Sequence, residues 1–205
     1  MIMSLTSAAV AAVLTAQASA SPPAPPGARL AQAVERAGLT DLPDLSLIGY
    51  AVEGRSPRVI RESINRGRPA DRGDGARHDA RTHWNYQTRW RRGADGQCVP
   101  GTATVTLTLT MTLPDLTNRD QLSAGDRAGW DDYFAALVAH ERNHGRIAVA
   151  GRDQMQAAMR ASPDCDAMTA VIQTTNAEVA DASEEYDRKT DHGRREGAVY
   201  PQPGR

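Results

Sequence analysis

"TATVTLTLTMT", residues 102–112, alternates without a break. Ala103, Val105, Leu107, Leu109 and Met111 fall on one side, and six threonines fall on the other. A period of two is the signature of a strand, and β-branched threonine suits a pleated, half-wet surface. The stretch therefore reads as a half-buried antiparallel strand with one face on a core and one face toward water. Something else in the chain must cover the apolar face.

Upstream, residues 83–91, HWNYQTRWR, place Trp84, Tyr86, Thr88 and Trp90 on one face. Residues 93–101 between the two runs read as a hairpin loop containing Cys98. Leu113-Pro114 is expected to end the second strand, because proline cannot donate to a ladder. Residues 45–53, LSLIGYAVE, form a further strand pattern ending at Gly54. Ser56-Pro57 supplies an N-cap and an N1 proline for a short helix over about 57–65. The polar, Gly-containing run 66–81 reads as an exposed loop.

Downstream the period changes to that of a helix. Trp130, Phe134, Leu137, Ile147 and Met155 share one side of a helix over about 125–160, with a bend expected near Gly145 or Gly151. A second helix starts at Ser162-Pro163 and reaches about Asp187, with Val171, Thr175, Val179, Ala182 and Tyr186 as its stripe. Strands followed by helices argue for an α+β fold, an antiparallel sheet followed by two long helices that cover it.

Length and composition agree with one globular domain. The chain has 205 residues and a net charge of -1, which gives no global field to recruit nucleic acid or an anionic membrane surface. Residues 8–15, AAVAAVLT, followed by Ala18-Ser19-Ala20, read as a signal peptide over 1–20. That predicts export to the periplasm or the extracellular space. Residues 21–40 then form a Pro-rich linker and N-terminal segment, and 41–205 the single domain. No later segment is long and apolar enough for stable membrane insertion. Two cysteines in an oxidising compartment, Cys98 and Cys165, predict one disulfide. It would contribute roughly 4 kcal/mol in the chain-entropy model.

The chemistry is concentrated in "AHERNHGRIA", residues 139–148. His140 and His144 stand at i and i+4, on one helix face and one turn apart. At that spacing two imidazoles reach one tetrahedral zinc, with Zn–N of about 2.0–2.1 Å. Glu141 beside the first histidine is placed to serve as general base and then acid. Five histidines and eight glutamates would produce this H-E-x-x-H spacing by chance in roughly one chain in a few hundred. A third ligand is required, and the spacing leaves it open among His192 and the carboxylates Glu184, Asp187 and Asp191.

Further stretches fall into a known pattern. They are Tyr50-Ala51-Val52-Glu53-Gly54, Thr82-His83-Trp84, Gly96-Gln97-Cys98 and Thr112-Leu113-Pro114, followed by His140 to Gly145 and Tyr186-Asp187…Thr190…His192-Gly193…Gly197-Ala198. Over about residues 45–200 the chain resembles the bacterial family called domain of unknown function 922, described as secreted zinc-dependent proteases. The resemblance implies a zincin-like active-site helix and a Zn2+ cofactor. It implies His140 and His144 as ligands, Glu141 as the catalytic base, and His192 as first choice for the third ligand, with Asp187 second. The expected function is that of an exported zinc metallopeptidase acting on a peptide or protein substrate. The alternative is an exported metal-binding protein without hydrolytic activity. The sequence fixes no oligomeric state.

Overall fold

The computed structural model describes residues 30–31, 34–35, 38–68 and 77–201. The expected signal peptide and the proline-rich stretch after it lie outside the described residues. Among the described residues the fold is α+β: a three-stranded sheet and, after residue 44, three α-helices. The strands are β1 (Leu45–Val52), β2 (Arg81–Arg92) and β3 (Cys98–Leu116), in the order β1-β3-β2. The helices are α1 (Pro57–Gly67), α2 (Ala124–Ala161) and α3 (Cys165–Thr190).

β3 holds the sheet together. Ala103, Val105, Leu107, Leu109 and Met111 are all buried, as the alternation requires, and the threonines between them are exposed or half-buried. β2 pairs antiparallel with β3, from Arg81 opposite Thr112 to Arg92 opposite Cys98, with an irregularity between Arg89 and Arg91. The hairpin loop is therefore only residues 93–97, and Cys98 already belongs to the strand. β1 pairs with β3 in parallel, Leu45 opposite Leu109 through Val52 opposite Leu116. The sheet is thus mixed, not wholly antiparallel. This pairing also carries β3 past Pro114, where the strand was expected to stop. Beyond Thr112 β3 no longer has β2 beside it, and a strand with one neighbour tolerates a proline as an edge does.

α2 lies across the apolar face of β3. Trp130, Tyr133, Phe134, Leu137 and Val138 join Leu107, Leu109, Met111 and Leu113 in the main core. Each such side chain, once fully buried, stabilises the fold by about 1.5–3 kcal/mol. Ser123 caps the helix by accepting from the Asp126 N–H at 3.1 Å. α2 is one uninterrupted helix, and its expected bends are close-packing points instead. A Cβ on Gly145 would come within 2.7 Å of Leu42, and one on Gly151 within 2.3 Å of Val179 and 2.7 Å of the Tyr86 hydroxyl.

The packed body also reaches back before residue 41. Leu30, Val34 and Leu39 are buried in the main core. Asp41 accepts from Arg142 at 2.8 Å and Arg146 at 2.9 Å, tying this segment to the outer side of α2.

α3 returns alongside α2. Its N-cap is Asp164, which accepts from the Ala167 N–H at 2.8 Å, rather than Ser162, which closes α2. Its buried residues are Met168, Thr175, Val179, Ser183 and Thr190, so the inward stripe passes through Ser183 and leaves Ala182 exposed. The expected disulfide joins Cys98 to Cys165, pinning the start of β3 to the start of α3. A second cluster of Ala103, Val105, Met155, Met159 and Met168 packs at that end. Among the described residues no helix is long and apolar enough to cross a membrane.

Candidate metal centre

The middle of α2 carries His140, Glu141 and His144, all buried, at 4%, 4% and 6% exposure. The burial matters because polar groups removed from water must find partners. His140 Nε2 lies 3.0 Å from Asp187 Oδ1, and His144 Nε2 lies 3.1 Å from the same oxygen. The two Nε2 atoms are 3.2 Å apart. These three atoms form a nearly equilateral triangle, the one group of histidine, cysteine or carboxylate ligands among the described residues that could hold a metal ion.

The far side of each ring has its own partner. His140 Nδ1 meets Glu196 Oε2 at 2.9 Å, and His144 Nδ1 meets Ser183 Oγ at 2.7 Å. When both Nδ1 atoms donate outward, both Nε2 lone pairs point at each other and at a carboxylate oxygen. Such a set is repulsive unless a proton or a cation sits among the three atoms. A tetrahedral zinc with bonds of about 2.0–2.1 Å spaces its ligand atoms by about 3.3 Å, close to the triangle found here. The outward partners also match how metal-bound imidazoles are held in their tautomer and orientation. The donor set therefore fits a divalent cation such as zinc.

The charges favour a cation as well. Burial disfavours the charged form of His140, but hydrogen bonds with Asp187 and Glu196 outweigh it and hold its pKa above the ordinary value. Burial likewise works against the charge of Asp187, but hydrogen bonds from His140 and His144 hold its carboxyl well below the usual range. Asp187 is thus held ionised, the form in which a carboxylate binds a metal.

Glu141 points to the other wall. Thr82, on β2, donates its hydroxyl to Glu141 Oε2 at 2.8 Å and also lies 3.1 Å from the Glu141 carbonyl oxygen. Burial raises the Glu141 pKa, while His144 and the Thr82 hydrogen bond oppose the rise. A bound cation would pull it back down.

The third place in the triangle belongs to Asp187, and His192 is not part of it. His192 Nδ1 is 3.7 Å from Asp187 Oδ1, and its side chain is 55% exposed. Its ring lies against His78 at 4.9 Å between centroids. The physical reason lies in the end of α3. Asp187 is still within the helix and projects at α2, whereas Asp191, His192 and Gly193 all take positive φ and turn the chain back. That turn brings Gly193 itself against His140, where a Cβ would lie 3.0 Å from the imidazole Cγ. It also delivers Glu196 to the His140 ring.

Sequence reasoning missed Ser183, Glu196 and Thr82 as partners of the centre. Ser183 was detectable, because it stands four residues before Asp187 and so shares its helix face. Tyr186 stacks on His140 at 4.9 Å and 20° between planes. Its hydroxyl accepts from Asn143 Nδ2 and donates to Glu196, both at 2.8 Å.

No curated protein and no solved structure matches this chain. One family does match, over residues 49–193: that described as "Bacterial protein of unknown function (DUF922)". The matched region holds His140, Glu141, His144 and Asp187 and stops just short of Glu196. The chain belongs to the DUF922 family.

Proposed function

We propose that this protein is an exported zinc-dependent metallopeptidase. The observation that carries the reading is the triangle of His140 Nε2, His144 Nε2 and Asp187 Oδ1, with Glu141 buried beside it. His140, His144 and Asp187 would hold the metal, which would supply Lewis-acid polarisation and lower the pKa of a water toward neutrality. Glu141 takes the proton from the attacking water and passes it to the leaving amine. Thr82 steadies the Glu141 carboxylate, and Ser183 and Glu196 fix the two imidazoles.

The substrate is an extended peptide. β2 is an edge strand of the sheet, and its residues Arg81 to Trp84 line the cleft over the centre. A peptide laid along such an edge gains main-chain hydrogen bonds. The threonine face of β3 faces away from this cleft and serves as the solvated side of the sheet. Export belongs to the same reading, supported by the Cys98–Cys165 disulfide, since disulfides persist in oxidising compartments.

Glu141→Gln separates this reading from that of a metal-binding protein without hydrolytic activity. The variant is expected to bind zinc at the wild-type ratio and to lose about 10²–10⁴-fold in peptide cleavage. Cleavage by this variant at the wild-type rate would remove the enzyme reading.

A further inference from the structure

The cleft over the candidate metal centre encloses about 1350 Å³ and extends to a wall built by the end of α1 and residues 77–81. That wall is basic. Arg61 grips Asp79 with two hydrogen bonds of 2.5 and 2.6 Å, and Arg68 reaches the same carboxylate at 3.4 Å. Tyr133 donates to Asp79 at 2.9 Å, which fixes the carboxylate from the α2 side. Arg77 donates to the Arg68 carbonyl oxygen at 3.1 Å and is itself exposed. Two guanidiniums thus pair with one carboxylate, while Arg77 lines the same wall with no acidic partner of its own among the described residues. Of those residues, Asp79 is the only acid this wall gives to the cleft. The Nε atoms of Arg61 and Arg68 are buried and make no hydrogen bond. Across the cleft, Asp187 is engaged by the two histidines and Asp191 by Arg194 at 3.2 Å.

The spacing of this wall from Glu141 follows from the chain. Asp79 precedes Thr82, the Glu141 partner, by three residues, a span of at most about 10 Å. Tyr133 precedes Glu141 by eight residues on the same helix, a rise of about 12 Å. An extended peptide covers that distance in about three residues.

We infer that the Arg61–Arg68–Arg77 wall is a subsite for a carboxylate of the substrate, about three residues from the bond to be cut. This inference rests on the peptidase reading of the same cleft. Guanidinium groups pair with planar carboxylates in a matched geometry, so an acidic side chain and a chain-terminal carboxylate both suit the wall. The subsite selects acidic peptides over their neutral counterparts.

The test uses the zinc-loaded full chain carrying Glu141→Gln and fluorescein-labelled octapeptides. One peptide has an internal Glu and an amidated end. The second has Gln in its place, and the third has that Gln and a free C-terminus. Either carboxylate is expected to tighten binding by about tenfold at low salt, and the arm that does so identifies which carboxylate is read. A second change, Arg77→Glu, is expected to erase that preference, with a melting curve to confirm that the exposed substitution leaves the fold intact. Equal binding of all three peptides would overturn the inference. So would a preference untouched by Arg77→Glu. Incubating the wild-type protein with the preferred peptide tests the parent reading separately. Preference without cleavage keeps the subsite and removes the peptidase.

Discussion

Thr82 donates its hydroxyl to Glu141 Oε2 at 2.8 Å, joining the edge strand to the helix residue beside the two candidate ligands. The bond crosses from sheet to helix inside the core, where both residues are buried. It fixes one oxygen of a carboxylate that is expected to move a proton. Thr82→Val keeps the shape of the side chain and deletes the donor. Peptide cleavage is expected to fall about tenfold, while zinc affinity stays within about twofold, because the removed group touches the base and none of the three ligand atoms. Titration against a chromogenic chelator, run beside a cleavage assay, reads both quantities. A loss of zinc affinity equal to the loss of activity would show that Thr82 supports the ligands instead.

Asp187 and His192 make opposite predictions for metal binding. Asp187→Asn is expected to weaken zinc binding by more than the roughly 10–100-fold typical of outer partners, and His192→Ala by less than that. Competition with a chelator of known affinity measures the difference. Two imidazoles and a carboxylate also hold non-haem iron, so elemental analysis of protein purified without added metal should accompany the titration. Zinc is the expected ion. A larger loss in His192→Ala than in Asp187→Asn would restore His192 as the third ligand.

Acid is expected to unfold the protein partly through Asp79. Burial works against its charge, but hydrogen bonds from Arg61 and Tyr133 hold its pKa below the ordinary value. A carboxylate whose folded pKa is depressed stabilises the fold above its unfolded pKa of about 3.9. That contribution is lost as pH falls through the lower, folded value. Asp79→Asn should therefore cost about 3 kcal/mol at pH 7 and flatten the stability profile at acid pH. Urea denaturation at a series of pH values provides the comparison. An unchanged acid limb in the variant would assign that limb to other carboxylates.

The sequence revealed what depends on local period and concealed what depends on distant partners. The alternation of residues 102–112 and the i, i+4 histidines are local facts, and both are realised: one face of β3 is buried, and the two Nε2 atoms meet. Pro114 misled because the strand that extends β3 beyond it comes from residues 45–52, far upstream. The glycines of α2 suggested bends because their packing partners, Leu42 and Val179, were invisible from the helix alone. Choosing between Asp187 and His192 required the three positive φ angles that end α3. Ser183 is silent in the hydrophobic pattern for a physical reason: a serine that faces a histidine leaves no hydrophobic mark on the helix stripe.

The parallel pairing of β1 with β3 also bears on how the protein reaches this structure. β2 and β3 are joined by a five-residue turn and can pair early. Leu45 must wait for Leu109, and the loop between them has to close before any contact across it repays the lost chain entropy. β1 is therefore expected to dock last during folding, onto a hairpin already formed. Until then the strand that becomes the centre of the sheet is an open edge, available to any other extended segment nearby.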